Sequence, residues 1–159
     1  MPDHVIIQVR DAVIARLKTA ATVAGNNVFR KDEEPQDDTL CPFIMVECGG
    51  DTGERDSLNG GNGATPSILE MLDASTIIHC VVKQSGDAEQ AAYNLRGQVE
   101  AALLGSAAAL TLDGKVQMTT RRAAQPRQDV LGDLESYAVA LQFQHNIWHL
   151  ESQPTSFGY

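Results

Sequence analysis

Apolar side chains near the N-terminus recur every three to four residues, at Ile6, Val9, Val13, Leu17 and Ala20, with Arg10, Arg16 and Lys18 off that stripe. This period predicts an amphipathic helix from about Asp3 to Ala24, with Asp3 as its cap and Gly25-Asn26-Asn27 as the turn that ends it. Val28-Phe29-Arg30 reads as a short strand. Lys31 to Pro42 is polar and broken by Pro35 and Pro42, so it reads as a loop, and Phe43 to Cys48 then has the length and apolar content of a buried strand. From Gly49 to Pro66 the pattern vanishes: six glycines stand among Asp, Asn, Ser and Thr. No core can be built from that composition, and a mobile arm over residues 49–66, projecting from the sheet, is expected.

The pattern returns at Ser75 to Lys83, STIIHCVVK, a continuous β-branched run that predicts a strand buried on both faces. Ala88, Ala91, Ala92, Leu95, Val99, Ala102 and Leu103 form a second helical stripe, with Ser85 as a possible cap and Gly105 just past its end. The small alanines let such a helix lie close against a sheet. Leu110-Thr111-Leu112, Asp113-Gly114 and Lys115 to Arg122 read as a hairpin around a tight turn. The last strand, Tyr137 to Trp148, alternates sharply: Tyr137, Val139, Leu141 and Phe143 against Ala138, Ala140, Gln142 and Gln144. The expected fold class is α+β, a mainly antiparallel sheet with two helices packed on one face, because each helix has one apolar stripe to bury. One domain over residues 1–150 and a loose tail over 151–159 complete the organisation.

Composition narrows the function. The chain of 159 residues carries a formal net charge of −9, which argues against a surface that grips phosphate backbones, though not against a wall that DNA slides past. Asp32, Glu33, Glu34, Asp37 and Asp38 concentrate acid in the first loop, where they line or border a DNA channel or form a solvated outer rim. Arg121, Arg122 and Arg127 make the main basic cluster. Together with Arg55, Asp56 and Leu58 of the arm, these residues are the candidate interface or channel positions. Cys41, Cys48 and Cys80 give no disulfide framework and no zinc spacing. Charge within the first ten residues is unlike a signal peptide, and no apolar run reaches membrane-spanning length, so a soluble protein made in a cytoplasm is expected.

Candidate chemistry is thin. His79 and Cys80 are strand neighbours and point to opposite faces, so they cannot form a thiol–base pair. His145 and His149 share a strand face, but four strand residues span about 13 Å, too far for one metal. Pro35 and Lys31 break any calcium-loop pattern, and no phosphate-binding glycine motif, nucleophile elbow or zincin helix is present. No catalytic residue, metal or cofactor is expected. A structural assembly protein is favoured, with a small enzyme whose acids converge in space as the alternative of another class.

The layout resembles the tail terminator (tail completion) proteins of long-tailed bacteriophages and gene transfer agents. The resemblance lies in VRDAVIARL, then VFRKDEEPQDDTLCPFIMVE with a proline just before the strand, STIIHCVVK, EQAAYNLRGQVEAALLG and ESYAVALQFQHNIW, and it covers Val5 to Trp148. It implies a non-enzymatic virion protein at the head-proximal end of the tail, assembled in the bacterial cytoplasm into a homo-oligomeric, six-fold ring. It implies the tail tube protein and a head connector or neck protein as partners, with DNA passing through the bore without specific binding and no membrane involved. Another head–tail connector or neck protein is the nearest alternative.

Overall fold

A computed structural model describes residues 3–36, 38–56, 69–127 and 136–150. Helix α1 (Val5–Thr19) leads to strand β1 (Val28–Arg30), two single 3-10 turns (Lys31–Glu33 and Asp38–Leu40), and the hairpin of β2 (Phe43–Asp56) and β3 (Leu69–Lys83). Helix α2 (Ala88–Leu104), the short α3 (Ala107–Leu110), β4 (Met118–Arg127) and β5 (Ser136–Leu150) follow. The strands form one sheet in the order β1-β2-β3-β5-β4; β1 lies parallel to β2 and every other pairing is antiparallel. This is the expected α+β class.

The main core lies between one sheet face and the helices. Val5, Val9, Val13 and Leu17 of α1 are fully buried at i, i+4 spacing, and Ala92, Leu95, Val99 and Leu103 of α2 at spacings of three and four. They meet Ile44 and Val46 of β2, Ile78 and Cys80 of β3, and Val139, Leu141 and Phe143 of β5. The period-2 alternation of β5 therefore has the direction its sequence predicts.

Boundaries differ from the sequence expectation where side chains found other partners. Helix α1 is shorter than Asp3–Ala24. His4, not Asp3, caps it, with Nδ1 accepting from the Ile6 amide at 3.3 Å, and Ala20 is already extended. Beyond it, Gln98 accepts from the Val23 amide at 2.8 Å, and Gly25 (φ 56) closes the turn that buries Ala24. Asp87 rather than Ser85 is the N-cap of α2, and it makes no capping side-chain bond; the Ser85 hydroxyl donates to Asp87 Oδ1 at 2.7 Å. Gly105 does end α2, and a Cβ there would lie 2.4 Å from the Ala101 carbonyl oxygen.

Two expectations are corrected outright. The hairpin over Leu110–Arg122 does not form: Ser106 Oγ accepts from the Ala109 amide at 3.1 Å and starts α3, and Leu112, Asp113 and Gly114 turn through positive φ. That winding buries Leu112 and Val116 in the main core, a gain that outweighs the local Asp-Gly turn signal. Gly49 to Asp56 do not begin a free arm; they continue β2 and pair with Ala74 to Leu69 across a bulge between Cys48 and Asp51. Residues 57–68, the rest of the expected arm, and the tail 151–159 lie outside the described residues.

The bulge explains the glycine at position 49. Gly49 and Gly50 together oppose Ser75, whose hydroxyl donates to the Gly50 carbonyl at 2.7 Å. A Cβ on Gly49 would sit 2.1 Å from Ser75 Oγ.

Candidate functional site

Both long helices cover the same sheet face, and the opposite face divides into three zones. At one end Phe43, Met45, Val81 and Ala138 form a small second core against Phe29 and Cys41, with the Phe29 and Phe43 rings edge-to-face at 6.0 Å. No helix shields these side chains; the acidic loop does. Lys31 Nζ reaches Glu47 at 2.6 Å, Lys83 Nζ reaches Asp38 at 2.7 Å, Asn27 donates to the Leu40 carbonyl at 3.0 Å, and Pro35 is buried. Two lysine bridges thus strap the loop across the sheet, one to β2 and one to the end of β3.

The middle zone centres on Glu47, which also meets His79 Nε2 at 3.0 Å. Burial by itself raises the Glu47 carboxyl, but the hydrogen bonds and charges of Lys31 and His79 outweigh it and hold its pKa below the usual carboxylate value. Sequence reading missed this cluster. Its signal was faint: Glu47 and His79 each interrupt an apolar strand run on the face that Phe43 and Val81 share. The third zone is a shallow groove of about 300 Å³ lined by Thr52, Asp73, Ser75, Arg122, Gln142 and Gln144. Arg122 donates to Gln144 and Asn146 to Asp73.

The candidate residues are scattered rather than gathered. Asp32 and Glu33 are exposed on the first 3-10 turn, Glu34 is half-buried, and Asp38 is engaged by Lys83. Asp37 and Leu58 lie outside the described residues. Arg55 and Asp56 are in β2, where they pair with Glu70 and Leu69. Arg121 turns to the helix side and bridges Glu100 of α2 at 3.1 Å, whereas Arg122, in the β4 bulge, lies on the open face. Arg127 is the last residue of β4.

The histidines and cysteines occupy separate environments. His79 faces Glu47 on the open side while Cys80 is in the main core, where burial pushes its thiol up to about 12. His145, fully buried, is held by Thr76 Oγ1 at 2.8 Å and Thr119 Oγ1 at 3.0 Å, and burial lowers its pKa to about 4. No group of three potential metal ligands occurs among the described residues, and none of their helices is long and apolar enough to cross a membrane.

Fold and surface together define a two-layer α+β fold with one helix-covered sheet face and a second face that carries a small apolar core, the Glu47–His79 pair and a polar groove. No known family matches the sequence, and no curated protein does. The fold is shared with a chain of a solved structure described as the virion of a native gene transfer agent particle. The two are 17% identical, superpose with a TM-score of 0.53, and match over 89% of this chain and 95% of that one.

Proposed function

We propose that this chain is a structural virion protein and, within that class, a tail terminator: a subunit of a ring that caps the tail tube and joins it to the head connector. The observation that carries the reading is the nearly end-to-end fold correspondence with a gene transfer agent virion chain. The sequence resemblance over Val5 to Trp148 points to the same class. In this reading the open face and the sheet edges serve contacts between proteins. The acids of the strapped loop border the passage of DNA and act by repulsion.

The test is to mix the purified protein with its cognate tail tubes and image them by electron microscopy. Rings in solution and caps confined to one tube end are the expected result. A protein that stays monomeric and leaves both tube ends bare overturns the reading. Rings that bind only the head connector transfer it to another neck protein.

A further inference from the structure

The sheet has two unlike edges. Strand β1 covers β2 only from Ile44 to Val46, so among the described residues no strand pairs with the outer side of β2 from Glu47 to Asp56. At the opposite end, β4 pairs with β5 alone and presents the outer side of a 10-residue strand. Rows of backbone donors and acceptors left in this way are templates for another strand. The charges at the two edges are opposite. Residues 51–56 of β2 carry Asp51, Glu54 and Asp56 against Arg55, whereas β4 carries Arg121, Arg122 and Arg127 with no acid. Arg121 already has Glu100 as a partner, whereas Arg122 donates, among the described residues, to the neutral side-chain amide of Gln144.

Strand direction makes the edges compatible. Three successive antiparallel steps, β2 to β3 to β5 to β4, leave β2 and β4 running in opposite directions. When copies are related by rotation about an axis roughly along the strands, every strand keeps its direction. The β4 of one copy then meets the β2 of the next antiparallel, the more favourable ladder. Pro126 withholds a single donor near the end of β4, so a ladder along this edge is one hydrogen bond short there.

We infer that the acidic outer edge of β2 in one subunit pairs with the basic outer edge of β4 in a second copy, head to tail, giving a sheet that is continuous around a closed ring. Resting on the ring reading above, it names the interface. A heterologous contact of this kind uses a different patch on each partner and propagates until rotation closes it. Cross-strand pairs of opposite charge favour the register, and like charges oppose it.

Complementary charge reversal tests the inference. One variant carries Arg122→Glu and Arg127→Glu on β4; the other carries Glu54→Arg and Asp56→Arg on β2. Each alone should raise the protein concentration needed for ring assembly about tenfold or more, because both edges then bear the same sign. Mixing the two should restore rings of alternating subunits at close to the wild-type concentration. Ring content is read by light scattering and microscopy, with circular dichroism of each variant alongside. Either single variant assembling like wild type overturns the edge pairing, as does a mixture that stays dissociated. The wild-type chain remaining monomeric under every condition overturns the ring reading itself, which separates the two failures.

Discussion

His145 has both ring nitrogens occupied by the hydroxyls of Thr76 and Thr119, inside the helix-covered core. A neutral ring donates through one nitrogen and accepts at the other, and each hydroxyl can take either role, so the neutral form is fully satisfied. A proton would add an uncompensated buried charge. With its folded pKa near 4 against an ordinary 6.5, the unfolded chain binds the proton more readily across that interval. Stability from this residue is therefore complete above about pH 6.5 and falls as pH drops toward 4, by roughly 3 kcal/mol in all. Thermal unfolding from pH 7 to 4 should show that fall, and His145→Gln should flatten it while lowering stability at pH 7. Glu47 adds a second acid-sensitive contribution: its lowered folded pKa stabilises the protein above the ordinary carboxylate range and is lost as pH falls through the folded value. Cys80, by contrast, should be inert. A thiol reagent should label it only on unfolding, since burial suppresses its thiolate.

Element boundaries were decided by pairs of residues that meet across the fold. The β2 bulge leaves no room for a side chain at Gly49 opposite Ser75, and Gly49→Ala should cost about 1–3 kcal/mol because the Ser75 hydroxyl would have to leave the Gly50 carbonyl. In a Ser75→Ala background the same substitution should cost less, and equal costs in a double-mutant cycle measured by urea unfolding would refute the clash. In α2, Val99 is fully buried at the middle of the stripe that faces the sheet. Val99→Asp should destabilise the protein by about 3 kcal/mol or more, read as a lowered unfolding midpoint, because it would bury a carboxylate among the apolar side chains of the main core. The expected hairpin that does not form follows the same logic. Asp-Gly is a strong local turn signal, yet Leu112 and Val116 have core positions to fill, and α3 is how the chain reaches them.

At the scale of the whole molecule, the loop that carries the acids is strapped down rather than free, and this changes which substitutions can probe it. Asp38 holds Lys83, so replacing it would disturb the strap as well as the charge. Asp32 is exposed on the first 3-10 turn, and the pair Asp32→Lys with Asp37→Lys is the better probe of DNA passage. If these acids border the channel, the variant should assemble normally and slow DNA ejection at low salt, with recovery at high salt. Wild-type ejection rates at every salt concentration would put the loop on the outer rim.

What the sequence determined by itself was everything carried by a period. The α1 and α2 stripes, the alternation of β5 and the continuous apolar run of β3 each specify an element and the face it buries, because burying a stripe is worth more than any local propensity. That was enough for the α+β class and for both helices on one face. The tertiary structure alone decided what depends on a partner distant in the chain. Ser75 turned two glycines of an apparent arm into a bulge, extending β2 to Asp56. Lys31 and Lys83 turned an acidic loop into a strap, and Glu47 and His79 became a pair across strands. Pattern along a chain reports which side of an element is apolar; it is blind to which polar groups will stand within 3 Å once the sheet is assembled.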